Sequence, residues 1–257
     1  MDQVILNEKQ YDDVFDDDVF EEYEHMLETL EEKDRNYVLN KREFFFKFLL
    51  PVKEIQKICM DEEAAYSVTE AELAEQMSDI IHQSGSNIQT ITDATACVGG
   101  NTISFMFHFP SVNSIEYDGT RANFLYHNVK VVSEFYRSTN EHKIGKVSVY
   151  EGDGSHPSLK QDAVFFDPPW GGPYYYKEGD LHLFLSGEDM EVICARYTRS
   201  ARLIALKVPY NFAFSSFERA MKSFCTITRH NIGEDKRRRG GRVTVRPKFV
   251  LIICKKI

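Results

Sequence analysis

From Gly85 onward the chain is written as short runs of β-branched and aromatic residues separated by helix-length amphipathic stretches. That alternation is the pattern of a parallel sheet with crossover helices. The runs are Ile88 to Thr92, Val112 to Glu116, Val147 to Tyr150, Ala163 to Phe166, Leu203 to Val208, Thr226 to Arg229 and Phe249 to Ile253. The first five are spaced by segments long enough for a helix, such as Thr120 to Arg137 and Glu188 to Thr198. The last two are joined through Gly240 and Gly241 inside a basic stretch. The expectation is a doubly wound α/β sheet of seven strands ending in an antiparallel hairpin.

Upstream the text differs. Residues 1–34 hold 14 acids and 2 bases, a charge of −12, and read as an acidic N-terminal arm, mobile or a solvated helix. Residues 35–85 read as a small helical subdomain. Tyr37, Phe44, Phe45, Phe48 and Leu49 recur near helical spacing and Pro51 interrupts. Leu73, Met77, Ile80 and Ile81 form a second stripe. Thr69 with Glu72 reads as a capping box for that second helix. Residues 86–257 form the main domain.

The net charge of −9 excludes a strongly basic nucleic-acid coat, but it is carried by the arm; the remainder is +3, and residues 229–256 are +8. No apolar run is long enough for a membrane span, and five scattered cysteines show neither a CxxC pair nor histidines at ligand spacing. Reduced thiols, no metal, no membrane, an intracellular location and a monomer are the corresponding expectations.

Two places carry chemistry. The first strand runs into Asp93, Ala94, Thr95, Ala96, Cys97, Val98, Gly99, Gly100 and Asn101. Glycines at the carboxyl end of such a strand let a ligand approach the backbone, although a pair of glycines also suits an ordinary tight turn. The second strand ends at Glu116 with Asp118 two residues on, where an acid accepts hydrogen bonds from a ribose diol. Asp153 follows the third strand, where an acid reaches an adenine amine or simply makes a turn. The fourth strand ends in Asp167, Pro168, Pro169, Trp170, Gly171, Gly172 and Pro173. Two prolines stiffen the chain and remove competing donors. The Asp167 carboxylate and the Pro168 carbonyl are left as acceptors for a planar amine, and Trp170 is a flat surface for a base.

These residues resemble the class I S-adenosylmethionine-dependent amino methyltransferases, a Rossmann-like fold, and more narrowly the trimethylguanosine synthase family. Asp93-Ala94 with Val98-Gly99-Gly100-Asn101-Thr102-Ile103 is similar to the family's cofactor segment. Pro168 to Pro173 is similar to its PPWGGP signature, and Tyr66-Ser67-Val68-Thr69 to a segment that closes over the cofactor. The resemblance implies S-adenosyl-L-methionine as cofactor, held by Ser67, Thr69, Asp93, Thr95, Gly99, Gly100, Asn101, Glu116, Asp118, Asp153 and Asp167. It implies Asp167, Pro168 and Trp170 as catalytic residues. It also implies contacts to the substrate from Trp170, Tyr175, Pro209, Asn211, Lys41 and Arg42.

The implied activity is methylation of the 2-amino group of the 7-methylguanosine RNA cap. The implied partner is capped RNA, in the nucleus or cytoplasm, the host cytoplasm for a viral protein. Three departures stand out. Cys97 occupies a place usually held by glycine, Asp167 one commonly held by serine, and Tyr210 one held by arginine. Asp167 keeps open an adenine-N6 or internal guanine-N2 methyltransferase, and Cys97 an inactive cap-binding scaffold.

Overall fold

The computed structural model describes residues 6–8, 13–139, 142–172, 174–177, 179–239 and 242–257. Its strands are β1 (Asn7–Glu8), β2 (Thr90–Asp93), β3 (Ser111–Glu116), β4 (Lys146–Glu151), β5 (Ala163–Phe166), β6 (Phe184–Leu185), β7 (Glu188–Asp189), β8 (Leu203–Val208), β9 (Cys225–Ile232), β10 (Asp235–Arg239), β11 (Arg242–Arg246) and β12 (Phe249–Lys256). The helices are α1 (Asp13–Thr29), α2 (Glu32–Phe46), α3 (Val52–Ile55), α4 (Glu62–Ser67), α5 (Ala71–Ser84), α6 (Gly100–His108), α7 (Gly119–Thr139), α8 (Met190–Tyr197) and α9 (Phe214–Met221).

The seven expected strands form one sheet, joined at its edge by β1, in the order β1-β4-β3-β2-β5-β8-β12-β9. The central pairs β4-β3, β3-β2, β2-β5 and β5-β8 are parallel, whereas β12 runs antiparallel to both β8 and β9. Every residue of β5 and β8 is buried, as befits strands covered on both faces. Phe105 of α6 packs edge-on against Phe165 on one face, and Tyr197 of α8 against Phe166 on the other, at 5.2 and 5.0 Å between ring centroids. The chain lays β2, β3 and β4 outward in one direction and then returns to place β5 on the other side of β2. That reversal opens a crevice at the carboxyl ends of β2 and β5, where ligands bind in such sheets.

Three expectations are corrected. The acidic segment, expected as a mobile arm or a solvated helix, supplies a helix, α1, but a packed one that buries Val19 and Tyr23, and it adds β1 to the sheet. The Tyr23 ring meets Phe124 of α7 at 5.5 Å, and the Phe20 ring stacks on His127 at 5.7 Å. Asp18, Glu21, Glu22, Glu24 and Glu28 are exposed, while the aromatics of this helix are spaced to reach α7. The apolar stripe of α2 is also shifted. Val38, Phe45 and Phe46 are buried, while Tyr37, Phe44 and Phe48 are exposed beside Lys41 and Lys47.

The capping box does not form. Glu70 is the N-cap of α5 without a side-chain cap, because the Thr69 hydroxyl accepts from Lys207 and the Glu70 carboxylate pairs with Lys248. Finally, the basic stretch between β9 and β12 adds a two-stranded ribbon, β10 with β11, beyond the seven expected strands; the expected turn at Gly240 and Gly241 lies outside the described residues. No described helix is long and apolar enough to cross a membrane.

The packing of α1 is directly testable. Tyr23→Ala should cost about 3–5 kcal/mol, the usual penalty for truncating a buried aromatic, measured by urea unfolding. An unchanged midpoint would mean that α1 does not pack on α7.

Candidate active site

The crevice widens into a cavity of about 1010 Å³ lined from four strand ends and from the α4–α5 link. The sheet supplies Thr95, Cys97, Gly100 and Asn101 after β2, Glu116 at the end of β3, Asp153 after β4, and Asp167 to Trp170 after β5. The end of α4 supplies Tyr66 and Ser67, and the α4–α5 link Val68 and Thr69. This segment lies close to the first turn of α6: a Cβ on Gly100 would meet the Thr69 carbonyl oxygen at 3.2 Å.

The loop between β2 and α6 is held from beneath. Asp93 is fully buried, and its carboxylate accepts from the Thr102 hydroxyl at 2.8 Å and, more loosely, from the Thr95 N–H at 3.4 Å. Gly99, at φ 105°, caps α6 in the left-handed region that glycine permits. Cys97 also adopts positive φ, 49°, so the loop tolerates it at a steric cost of about 1–2 kcal/mol. Its N–H donates to Glu116 Oε2 at 2.8 Å, and burial, with Glu116 nearby, pushes the thiol up to about 12. The thiol is therefore protonated at neutral pH.

The Glu116 carboxylate is buried and also accepts from the Asp118 N–H at 3.0 Å. Arg121 stands beside it. Burial would lower this guanidinium, but Glu116, then Glu63, Asp61 and Asp118, more than offset that and hold it charged. The Glu63 contact is 2.7 Å, so one cation ties the start of α4 to the end of β3.

On the other side, the Asp167 N–H donates to the Thr95 hydroxyl at 2.7 Å. The Asp167 carboxylate accepts from Lys207 Nζ at 2.6 Å, and the same ammonium donates to the Thr69 hydroxyl at 2.9 Å. It lies 5.4 Å from the Trp170 ring centroid and 4.8 Å from that of Phe249. Burial raises the Asp167 carboxyl, and Lys207 opposes the rise. Trp170 meets Tyr175 edge-to-face at 5.1 Å.

Ser67, Thr69, Thr95, Gly100, Asn101, Glu116, Asp153, Asp167, Pro168, Trp170 and Tyr175 are thus brought to one cavity. Asp93, Gly99 and Asp118 lie behind its wall, where they shape the loops. Asp118 accepts from the Arg121 N–H at the start of α7. Asp153 also serves its turn, accepting from the Ser155 N–H and the Ser186 hydroxyl. Pro209 and Asn211 are outside the lining, although Asn211 donates to the Tyr175 carbonyl at 2.9 Å.

Lys41 and Arg42 do not reach the cavity. Arg42 is spent on the Tyr23 hydroxyl and the carbonyls of Gln56 and Ile58, and Lys41 rests over the rings of Tyr37, Phe44 and Phe45. Beside Tyr210, which stands where the resembled family carries arginine, the Arg246 guanidinium sits 5.2 Å from the ring centroid.

Lys207 and Arg121 line the cavity although neither was a candidate site residue, Lys207 entering only as the first residue of the segment that runs to Asn211. A lone lysine within the otherwise apolar run Leu203 to Val208 was the available signal, since a charge in a buried strand needs a partner. The histidines are less isolated than their spacing suggested: His108 lies 3.2 Å from Asp79, and His182, Asp189 and Glu191 bring ligand atoms within 4.8 Å of one another.

The lining fits a nucleoside joined to an amino acid. Among the described residues, Asn101 Oδ1 is buried in the first turn of α6 with no hydrogen-bond partner, an acceptor suited to an ammonium. Glu116 and Asp153 remain on the wall as acceptors for hydroxyls and an amine. The sheet order with its reversed terminal strand, the cavity and this lining define a class I methyltransferase. Comparison then gives the family: the model of the RNA cap guanine-N2 methyltransferase family matches residues 88–234, and the chain belongs to that family.

An uncharacterised protein of Acanthamoeba polyphaga mimivirus is 31% identical over 209 residues, covering 71% of this chain and 79% of its own length. The trimethylguanosine synthase of Saccharomyces cerevisiae is 25% identical over 193 residues, covering 72% of this chain; the match spans 58% of the yeast protein. The corresponding synthase of Schizosaccharomyces pombe is 29% identical over 170 residues, covering 60% of this chain and 64% of its own. In structure, a methyltransferase-fold protein of Porphyromonas gingivalis W83 superposes with a TM-score of 0.58 at 12% identity, over 96% of this chain and 59% of that one.

Asp93 gives a test of the buried loop support. Burial pushes its carboxyl up to about 7 from 3.8; the Thr102 and Thr95 donors lower it, and Asp167 and Glu116 raise it. The folded state thus holds this proton more tightly than the unfolded chain, so the group's contribution is present at acid pH and is lost as pH rises through about 7. Asp93→Asn, which cannot ionise, should gain stability relative to the natural protein between about pH 4 and pH 7 in paired denaturation curves. A pH-independent difference contradicts a titrating Asp93.

Proposed function

We propose that this protein methylates the exocyclic 2-amino group of a 7-methylguanosine RNA cap, giving the 2,7-dimethyl or 2,2,7-trimethyl form. The observation that carries the reading is the sharing of one cavity by two sets of groups: the Asn101, Glu116 and Asp153 acceptors, and Asp167-Pro168 beside the Trp170 ring. The first set would hold S-adenosyl-L-methionine, which supplies an electrophilic methyl group when bound. The second would present the acceptor amine.

Positioning is most of this catalysis, because holding two reactants in near-attack geometry is worth about 7–11 kcal/mol. A guanine 2-amino group is a weak nucleophile, its lone pair being delocalised into the ring. Acceptors at Asp167 and at the Pro168 carbonyl orient its N–H bonds and stabilise positive charge developing on the nitrogen. Trp170 fixes the plane of the base. The 7-methylguanine ring is cationic, and the nearby Lys207 charge is matched by Asp167. The base therefore meets a neutral pair rather than a lone positive charge, and the attraction to the indole face survives.

An inactive scaffold is disfavoured by the loop after β2, in which Cys97 takes up the positive φ and leaves the Gly99-Gly100-Asn101 turn in place. The cap triphosphate would be met by Arg246 at Tyr210, and the following RNA by the basic β10–β11 ribbon.

Mass analysis of a 7-methylguanosine cap dinucleotide incubated with the cofactor tests the reading: one or two methyl groups should appear on the guanine 2-amino nitrogen. A cap lacking the 7-methyl group should react about 10-fold less efficiently. Trp170→Ala should lower kcat/KM by about 10- to 100-fold, the worth of one stacked base. An untouched cap, with methyl groups appearing instead on adenine or on internal guanine in the same RNA, would overturn it.

A further inference from the structure

Lys207 has the surroundings of a working residue rather than a packing one. It is the single charge in β8, whose six residues are all buried, and it is only 5% exposed. Two of the three donors of its ammonium are accounted for, by Asp167 Oδ2 at 2.6 Å and Thr69 Oγ1 at 2.9 Å. Its remaining surroundings are the rings of Trp170 and Phe249. Asp167 opens the turn that carries Trp170, and Thr69 ends the segment that lies against the first turn of α6. These two segments are about a hundred residues apart in the chain, and both bond directly to this one side chain.

We propose that Lys207 is a positioning residue for methyl transfer, its single ammonium fixing the Asp167 carboxylate beside Trp170 and, through Thr69, fastening the Tyr66–Thr69 segment over the cofactor end of the cavity. The proposal rests on the cap-methylation reading for its kinetic part, but not for its effect on cofactor binding. Because both bonds leave the same nitrogen, closure of the segment and orientation of the acceptor amine are coupled: a displacement of either partner moves the other. Asp167 is the group whose protonation breaks the lock. The charged groups near it are Lys207 of β8 and the buried Asp93 at the end of β2. Removing the ammonium leaves burial unopposed, so the carboxyl is protonated at a higher pH.

The test uses the full chain and Lys207→Met, which keeps the stem among the rings, with Lys207→Arg, Thr69→Val and Asp167→Asn alongside. Calorimetry with S-adenosylhomocysteine should show about 10-fold weaker binding for Lys207→Met and Thr69→Val, the loss of one charge-assisted hydrogen bond. Single-turnover methylation of the cap dinucleotide should slow about 100-fold in Lys207→Met with little change in KM, as expected for a misplaced reactant. The acid limb of its rate profile should move to higher pH, should vanish in Asp167→Asn, and should be partly restored in Lys207→Arg.

Lys207→Met binding the homocysteine product like the natural protein, with an unmoved acid limb, overturns the proposal, as does Thr69→Val with unchanged binding. If the natural protein leaves the cap unmethylated, the functional reading fails instead, while the calorimetric arm still decides the role of Lys207. If Lys207→Met does not fold, Thr69→Val decides the fastening by itself, since it leaves the ion pair in place.

Discussion

The buried contact between Lys207 and Asp167 links a central strand to the proline turn, neighbours already through the pairing of β5 with β8, and through Thr69 draws in the segment across the cavity. Taking two charges out of water costs several kcal/mol per ion, and mutual attraction repays it only when the remaining donors and acceptors are satisfied. Here the Thr69 hydroxyl and two aromatic rings complete the ammonium's surroundings, and the Thr95 hydroxyl holds the Asp167 backbone. Such a pair is a poor way to gain stability, since well-packed apolar side chains would serve as well. Its retention inside a cavity is better accounted for by what it positions.

A second cation does similar work on the opposite flank. Arg121 of α7 reaches Glu116 on the sheet and Asp61 and Glu63 at the start of α4. Glu116 in turn receives the Cys97 N–H, so the cradle after β2 and the helical layer share one charged junction. The layer is therefore tied to the sheet by Arg121 at the start of α4 and by Lys207 at the α4–α5 link. Apolar packing completes the attachment: α1, which carries eight acids and no Lys or Arg, closes on α7 through Tyr23 and Phe20. The net charge of the chain thus lies largely on a packed helix.

The sheet was legible in the sequence because each of its buried strands is a short apolar run bounded by turn residues, and the hairpin at the end because its two runs are joined through Gly240 and Gly241 in a basic stretch rather than through an amphipathic one. The cavity wall was legible for the same reason: Thr95 to Asn101, Glu116, Asp153 and Asp167 to Trp170 each lie at or just after the end of a strand. What could not be read were pairings across the chain. Nothing local marks Thr69 as a partner for Lys207 rather than as the cap of α5, or Arg42 as a brace for Tyr23 rather than a ligand for phosphate. The stripe on α2 misled because its exposed aromatics, Tyr37 and Phe44, share a helix with the buried Phe45 and Phe46, and Phe48 falls beyond its end.

The most direct measurement is a crystal structure with S-adenosylhomocysteine and a 7-methylguanosine cap dinucleotide bound together. The expected result is a guanine stacked on Trp170 with its 2-amino nitrogen within hydrogen-bonding distance of Asp167 or the Pro168 carbonyl, and Lys207 still bridging Asp167 and Thr69. A base bound away from Trp170, or one presenting another edge to Asp167, would contradict it.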